Sequence, residues 1–451
     1  MAPAAGGSDA VEQPLSRRRI LGYAVGSAGT GVFSTVPGLL LLFYLTDVLG
    51  VAAATAGLVV VLPKVWDVLV NPYVGATSDR HAIATGRRTR LMLAGAVSLP
   101  VAFALVFAGV GTGGGAAAWV SVTFLLAATA YALFQVPYVA LPTEMSEQAD
   151  QRTRVMGWRI VALTVGILIG GALAPVIVTA AGGGTTGYRV MAVVVALVMA
   201  AAMLTATYSS RWVRSQPGDE PLALVAAFRT ARGNRAFTLL LTAFVVQALG
   251  VAVALASIAY VAAFWLGRYG LTSVIFVAFV APSIVVVPLW VAAGRRWGRW
   301  QVLLADSAAF AVAFAGFAVA VGLRSTAGVL AAAFALGVCY GGNQVLPLAL
   351  LTDTVIADAD RTGRRQSGAF TGVWTALETA AFAVGPGVLS LILATSGFAS
   401  STFDHPVVQS GSARNGILIG AGVLPVVLFV VSIPFVAAFG RTAAARIAGA
   451  P

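Results

Sequence analysis

Residues 91–111, LMLAGAVSLPVAFALVFAGVG, contain no charged side chain. A helix needs roughly 20 apolar residues to cross the hydrocarbon core of a bilayer, so this run predicts a transmembrane helix. Further runs of the same kind lie on both sides of it. The twelve predicted spans cover residues 22–49, 53–77, 91–111, 117–142, 156–181, 188–208, 236–264, 271–293, 301–323, 327–351, 367–396 and 413–439.

The composition is that of a membrane protein. Of the 451 residues, 59% are hydrophobic and 10% are charged, whereas about 25% of the residues in a soluble domain are charged. The formal net charge of +12 is compatible with a nucleic-acid partner, but the arginines lie in short clusters between apolar runs and form no basic face. We therefore expect contact with membrane lipid and no nucleic-acid partner.

Cysteine and histidine are scarce. One cysteine, Cys339, and two histidines, His81 and His405, are too few for a disulfide framework, a structural zinc site or a histidine-built metal centre. An intramembrane enzyme would need a nucleophile with a base, or a metal cluster, and this chain offers little to build either. The sequence therefore predicts neither an enzyme nor a bound cofactor.

The basic residues predict the orientation of the chain. If the N-terminus is cytoplasmic, 22 of the 28 basic residues lie on the cytoplasmic side and two, Lys64 and Arg159, lie within spans. The remaining basic residues, on the outer side, are Arg189, Arg268, Arg324 and Arg414. Because cytoplasmic loops carry the excess of Lys and Arg, we expect a multi-pass protein of the cell inner (plasma) membrane with both termini cytoplasmic.

A polar stretch at 209–235 divides the chain into two halves with similar strings. Gln135 in the fourth span precedes Glu144, and Gln344 in the tenth precedes Asp353 at the same spacing. Internal duplication is typical of carriers that bind their solute between two rocking halves. The predicted fold is therefore an all-α membrane protein with twelve transmembrane helices in two six-helix pseudo-repeat halves, and we expect a monomer. The predicted parts are a cytoplasmic N-terminal tail at 1–21, bundles at 22–208 and 236–439, a cytoplasmic linker at 209–235 and a cytoplasmic C-terminal tail at 440–451.

Five ionisable side chains stand out within the predicted spans, because an ionisable side chain at mid-bilayer costs at least about 2.5 kcal/mol on insertion scales. Such residues usually face a cavity or a partner. They are Lys64, Asp67, Arg159, Asp306 and Glu378.

Each of the five has a structural alternative to a functional role. Lys64 and Asp67 share one helix face, either as part of an ion-coupling site or as a pair that only lowers the insertion cost. Arg159 either points into a central cavity or reaches to the cytoplasm. Glu378 shares a face with Trp374 four residues earlier, while Asp306 is expected to reach toward the membrane interface.

The loop from Gly75 to Arg90 contains a second candidate element. Asp79 falls at a helix end, and Arg80, Arg87 and Arg88 are near enough in sequence to clamp it. This loop is predicted to hold the outward-facing one of two alternating conformations. The alternative is an ordinary positively charged cytoplasmic loop.

Several strings resemble the major facilitator superfamily and, within it, the glycoside/pentoside/hexuronide:cation symporters, which include the melibiose carriers. The strings span most of the N-terminal half and touch the eleventh span. They are FYLTDVLG at 43–50, KVWDVLVNP at 64–72, SDR at 78–80, VPYVAL at 136–141, EMS at 144–146, RTR at 152–154 followed by Arg159, and GVW at 372–374.

The resemblance implies which positions bind the ion and the solute. Sugar-transporting members have two acids one turn apart in the second helix, one acid before the proline of the fourth, and a lysine in the eleventh. This chain keeps only the first, as Asp67; the other positions hold Asn71, Gln135 and Thr379, beside Glu378. Losing carboxylates weakens a sodium site, so a proton is favoured over Na⁺ as the coupling ion.

The resulting prediction is a cation-coupled symporter of a small solute, a sugar, a glycoside or an amphiphile, that works by alternating access. Asp67 and Glu378 are the candidate coupling acids. The predicted substrate-binding residues are Lys64, Asn71, Gln135, Tyr138, Arg159, Trp374 and Thr379. The alternatives are a proton-driven exporter of drugs or lipids and, from another class, a receptor or scaffold that transports nothing.

Overall fold

The computed structural model describes residues 15–146, 148–214, 229, 232–363 and 366–448. Within these ranges, twelve helices are long and apolar enough to cross a membrane, as the sequence predicts. They are α1 (Arg17–Leu41), α2 (Ala53–Thr85), α3 (Thr89–Val106), α4 (Gly113–Met145), α5 (Asp150–Ala180), α6 (Gly184–Ser209), α7 (Arg235–Trp265), α8 (Leu271–Trp297), α9 (Arg299–Gly322), α10 (Thr326–Thr362), α11 (Gly368–Thr395) and α12 (Gly411–Thr442).

Each half of the chain is a bundle of six helices with the same packing order. In the N-terminal half α1 packs on α5 and α6, while α4 packs on α2 and α3. In the C-terminal half α7 packs on α11 and α12, while α10 packs on α8 and α9. Adding six to each helix number converts the first set of pairs into the second, so the two halves are structural repeats.

Several helices continue beyond their predicted spans, among them α2, α4 and α10. The ends of α2, α4 and α10 are Thr85, Met145 and Thr362, instead of 77, 142 and 351. A search for apolar runs misses these last turns because they are polar. Both α2 and α10 stop before a glycine with positive φ, Gly86 at 67° and Gly363 at 69°, a conformation that glycine adopts without the steric cost of a Cβ.

The first helix of each half ends in a widened turn. The last turn of α1, Pro37–Leu41, is π-helical, and a second π-helical turn follows at Tyr44–Val48. The last turn of α7, Val261–Trp265, is also π-helical. Such turns are rare inside helices and frequently mark functional positions. In this protein Tyr44–Val48 and Val261–Trp265 lie where the two halves meet.

The two halves meet through α1 and α7, α2 and α11, and α5 and α8. At one end of the bundle, here named the closed end, the Phe43 and Tyr260 rings lie 5.2 Å apart and the Tyr188 and Tyr269 hydroxyls are 2.8 Å apart. At the opposite end, here named the arginine-rich end, the ion pairs Arg88–Asp79 and Arg299–Asp353 each lie within one half. The contacts between the halves therefore concentrate at the closed end.

Parts of the predicted tails and linker lie outside the described residues. These parts are 1–14 of the N-terminal tail, 215–228 and 230–231 of the linker, and 449–451 of the C-terminal tail.

Candidate functional site

The α2 segment that carries Asp67 presents a charged pair. The Lys64 Nζ lies 3.8 Å from the Asp67 Oδ2, and these side chains are 35% and 15% exposed. Next to them the Trp66 indole N–H donates to the Thr129 hydroxyl of α4 at 2.9 Å, which ties α2 to α4. The pair predicted from the spacing of three residues is formed, and its acid is the more buried partner.

Arg159 of α5 faces the tyrosines of α4. Its guanidinium lies 5.6 Å from the centre of the Tyr138 ring, within the range of a cation–π contact. Tyr131 lies about two helix turns before Tyr138, and its hydroxyl interacts electrostatically with both Arg159 and Asp67. The Tyr131 ring stacks on Phe33 of α1 with centroids 4.9 Å apart. Side chains from α2 and α5 thus converge on Tyr131, which the sequence reasoning missed.

Three buried polar atoms of this group have no hydrogen-bond partner. They are the Asp67 Oδ1, the Gln135 Oε1 and the Arg159 Nε. Buried polar groups in native structures are almost always paired, with protein or with water. A group of unpaired donors and acceptors on α2, α4 and α5 is therefore chemically fitted to bind a polar ligand. The group of Lys64, Asp67, Tyr131, Gln135 and Arg159 is named the N-site below.

Two other predicted residues of the N-terminal half take different positions. Tyr138 is fully buried, and its hydroxyl is already 2.9 Å from the Ser27 hydroxyl and donates to the Tyr23 carbonyl at 2.9 Å. In this conformation the Tyr138 ring contacts the Arg159 guanidinium, and the Tyr138 hydroxyl is not free to bind a solute. Asn71, one turn after Asp67, is exposed.

A second polar group lies in the C-terminal half. Glu378 of α11 is half-buried and interacts electrostatically with the Tyr340 hydroxyl of α10. The Gln344 amide donates to that hydroxyl at 2.6 Å, and the Tyr340 ring stacks on Phe279 of α8 with centroids 5.0 Å apart. The group of Glu378, Tyr340 and Gln344 is named the C-site below. Gln344 corresponds to Gln135 in the internal repeat. The repeat could therefore have indicated Gln344 as a site residue, although the sequence analysis did not select it.

Trp374 does not provide the aromatic surface beside Glu378. It is 1% exposed, and its ring stacks on Phe244 of α7 at a centroid distance of 4.3 Å. Its indole N–H is buried without a partner. A spacing of four residues places Trp374 and Glu378 on the same side of α11. On that side, however, Trp374 packs into the bundle core and Glu378 belongs to the C-site. Thr379, the next residue after Glu378, is exposed.

The loop between α2 and α3 contains an ion-pair network centred on Arg88. Its guanidinium donates to Asp79 at 2.5 Å, to Glu144 at 2.7 Å and to the Ser78 hydroxyl at 3.0 Å. Burial alone would lower the pKa of Arg88, but the hydrogen bonds to Glu144 and Asp79 outweigh burial and raise it above its ordinary value.

The other predicted members of the loop do not join this network. Arg80 and Arg87 are exposed. Gly75 packs loosely, since a Cβ added to it would meet only the Val136 side chain at 3.8 Å. The Arg88 network ties α2 to α4 within one half, in a conformation closed at the opposite end.

At the closed end, a buried acid lies between the halves. Asp47 is 8% exposed and accepts hydrogen bonds from the Thr46 hydroxyl at 2.7 Å and from the Ser401 hydroxyl at 3.4 Å. The Ser401 amide donates to the Thr46 carbonyl at 2.9 Å, and the Thr46 hydroxyl is 2.8 Å from the Tyr260 hydroxyl. This set joins the end of α1 to α7 and to the loop before α12.

Asp306 does not reach the membrane interface, contrary to expectation. Its side chain is fully buried in the C-terminal half, because it points toward α8 and α10 and not along α9.

The sequence matches the family described as MFS/sugar transport protein over residues 22–439. It is 30% identical over 157 residues to the glucuronide carrier protein homolog of Escherichia coli (strain K12), an alignment that covers 34% of this chain and 34% of that protein. It is 24% identical to the uncharacterized symporter YnaJ of Bacillus subtilis (strain 168), over 92% of this chain and 89% of that protein.

Among solved structures, the chain is similar to a bacterial homolog of the human lysosomal transporter Spinster in an inward-facing and unoccupied conformation. The TM-score is 0.69 at 15% sequence identity, covering 95% of this chain and 98% of the other. At that identity the likeness shows the fold, which is that of the major facilitator transporters. Since the family match extends over nearly the whole chain, this protein belongs to the MFS/sugar transport protein family, whose members are transporters and not enzymes.

Proposed function

We propose that this protein is a proton-coupled symporter that carries a small polar solute by alternating access, with the solute bound between the N-site and the C-site. The observation that carries the proposal is the set of unpaired buried atoms on Asp67, Gln135 and Arg159. The names of the two relatives, a glucuronide carrier homolog and a symporter, support the reaction class.

The charges of the N-site favour a glycoside that carries a carboxylate. Two cations, Lys64 and Arg159, accompany a single acid, Asp67, so the group has an excess positive charge. Protonation of Asp67 raises that excess, and a planar guanidinium matches a carboxylate in a bidentate geometry. An exporter of apolar drugs would need a mainly apolar cavity, which this polar group disfavours.

Asp67 is the proposed coupling acid, with Glu378 as the competing candidate. Only one carboxylate remains on this part of α2, since Asn71 replaces the second acid of the resembled carriers. When Asp67 accepts a proton it no longer attracts Lys64, and both cations become available to an anionic solute. Solute and proton therefore favour each other's binding, which is the requirement for symport.

The proposed orientation puts the arginine-rich end in the cytoplasm, because cytoplasmic loops carry the excess of basic residues. The structure would then be inward-facing, with the closed end outside. The Asp47 contacts would seal the outer entrance in this state and separate when the carrier turns outward.

The first experiment identifies the solute. Purified protein is heated with uronides, neutral glycosides, lysolipids and cationic drugs, and the unfolding temperature is recorded. A ligand present at about 100 times its Kd stabilises the folded state by about 2.7 kcal/mol. We expect uronides to raise the unfolding temperature most, whereas stabilisation by cationic drugs alone would contradict the proposal.

The second experiment tests the coupling acid in proteoliposomes. Asp67→Asn mimics the protonated acid, so we expect it to abolish accumulation against a gradient and to retain part of the solute exchange. Asp404→Asn, at an exposed carboxyl of the closed end, is the matched control and should accumulate solute normally. If Asp67→Asn accumulates solute and Glu378→Gln does not, the C-site contains the coupling acid; if Na⁺ and not pH sets the rate, proton coupling is wrong.

A further inference from the structure

Asp306 is a buried acid that the N-site and the C-site do not use. It lies seven residues after the start of α9, about 10 Å from the helix end at 1.5 Å per residue. Its side chain is 0% exposed, and neither carboxyl oxygen has a hydrogen-bond partner. The burial comes from protein alone, so lipid around the bundle does not change it.

Three helices close tightly around this carboxyl. A Cβ added to Gly342 of α10 would lie 3.0 Å from the Asp306 Cγ and 2.9 Å from the Trp290 ring of α8. The Trp290 indole N–H is directed elsewhere, to the Val338 carbonyl at 2.8 Å. A glycine is therefore required opposite the acid, and the indole covers it without pairing with it.

The neighbouring polar residues leave Asp306 without a charged partner. Ser307, the next residue of α9, accepts a hydrogen bond from the Gln247 amide of α7, which also donates to Ser432 of α12. Cys339 of α10 is the ionisable group in electrostatic contact with Asp306. The other charged side chains described on α8, α9, α10 and α12 lie toward helix ends: Arg295, Arg296, Arg299, Asp353, Asp358, Asp360, Arg361, Arg414 and Arg441.

An unpaired carboxylate cannot stay ionised in such a place. Burial of an isolated charge costs far more than burial of the neutral acid, and the group takes up a proton instead. We propose that Asp306 is a proton-binding site within the C-terminal half, separate from the N-site and the C-site. The proton leaves to water, as COOH + H₂O giving COO⁻ + H₃O⁺, when α8, α9 and α10 separate enough to hydrate the carboxyl.

The site is connected to the solute region through α10. This helix carries Gly342 against Asp306 on one face and Tyr340 and Gln344 of the C-site on another. A movement of α10 during the transport cycle therefore changes the hydration of Asp306. This link to the cycle rests on the proposed function, whereas proton binding by Asp306 does not.

Infrared spectroscopy of the purified protein tests proton binding directly, because a protonated carboxylic acid has a carbonyl stretch separate from carboxylate and amide bands. We expect the difference spectrum between the unmodified protein and Asp306→Asn at neutral pH to contain this band. The difference spectrum for Asp404→Asn, an exposed acid, should lack it. A difference spectrum that contains carboxylate bands and lacks the carbonyl band would show that Asp306 is ionised and would overturn the proposal.

Two further measurements keep the test decisive. If Asp306→Asn does not fold, ¹³C-labelled aspartate in the otherwise unmodified protein should shift the band, and Asp47→Asn, Asp67→Asn and Asp358→Asn remove the contributions of the other aspartates with little exposure; no shift would overturn the proposal. With a transported solute in D₂O, deuterium exchange at the band should accelerate several-fold. A protein that shows the band and transports nothing would refute the proposed function and leave the proton site intact.

Discussion

At the scale of single residues, Tyr340 lies beside Glu378, in the position that the sequence suggests for Trp374. The spacing of four residues correctly places Trp374 and Glu378 on one side of α11, but it does not tell which part of that side faces the bundle core. Phe244, far away in sequence, covers the Trp374 ring. Tyr340 lies on α10 and Glu378 on α11, so the two residues come together only through the packing of the C-terminal bundle.

Substitutions at these two residues should therefore have opposite effects. Trp374→Ala removes a fully buried ring and should destabilise the protein by about 3–5 kcal/mol. Tyr340→Phe keeps the ring on Phe279 and removes only the hydroxyl, so stability should change little while solute affinity falls. Thermal unfolding and solute binding, measured on both variants, separate the roles. Normal stability with lost binding in Trp374→Ala would return Trp374 to the binding site.

The predictability of the N-site also differs between residues. The sequence identifies Asp67, Lys64 and Arg159, because an ionisable residue in an apolar span is energetically costly and therefore usually has a function or a partner. Tyr131 gives no such signal, since a tyrosine in a membrane helix is ordinary, and its importance follows from the packing of α2 and α5 against α4. Tyr138 belongs to a family-like string, yet its hydroxyl is used for packing on α1.

At the scale of elements, the Arg88 network is complete within the N-terminal half. Loop composition predicts a clamp on Asp79 but not its centre, because Arg80, Arg87 and Arg88 are equivalent in sequence. The structure distinguishes them, since only Arg88 turns back between α2 and α4. Arg299 and Asp353 form a corresponding pair at 2.5 Å in the C-terminal half.

Asp79→Asn should weaken the network while the Arg88–Glu144 pair remains. The network is already formed within one half of this structure, which the proposed orientation makes inward-facing, so it favours the outward-facing state only through further contacts made there. In that case the variant should shift toward the inward-facing state, solute binding should survive and the transport rate should fall. Binding by calorimetry and uptake in vesicles give the two quantities. Asp353→Asn is the matched variant in the other half, and complete loss of binding in folded Asp79→Asn protein would contradict this role.

At the scale of the whole molecule, the number and order of the membrane-spanning helices in the described residues are predicted from sequence because the bilayer imposes them: twelve apolar runs give twelve such helices. The conformation is not predicted in this way. Both alternating states bury the same apolar runs, and they differ in contacts between residues far apart in sequence. The bonds between Thr46 and Ser401 and between Tyr188 and Tyr269 are of this kind.

The orientation of the molecule is open to a labelling experiment. Two single cysteines are placed in a Cys339→Ala background. Val408→Cys lies at the closed end, where Val408 is 87% exposed, and Thr85→Cys replaces an exposed residue at the arginine-rich end. We expect an impermeant thiol reagent to label the cysteine at 408 in intact cells and to leave the one at 85 unlabelled until the membrane is opened. The reverse pattern would invert the topology.

The closed end provides a test of alternating access itself. Leu49 and Thr402 form an antiparallel bridge between the two halves, and opposed residues in such a bridge have Cα atoms about 4.5–5.5 Å apart, within the range for a disulfide. In the Cys339→Ala background, Leu49→Cys with Thr402→Cys should form a cross-link under oxidation. That link would hold the closed end shut, so transport should stop and should return on reduction, while solute binding from the arginine-rich end persists. Gly250→Cys with Leu428→Cys is the control, because a Cβ on Gly250 would lie 3.6 Å from the Leu428 Cβ, within the range for a disulfide, and both positions belong to the C-terminal half. That second link joins parts that move together, so it should leave transport intact. Full transport by the oxidised Leu49–Thr402 pair would mean that the halves do not separate at this end during the cycle, and alternating access through it would be wrong.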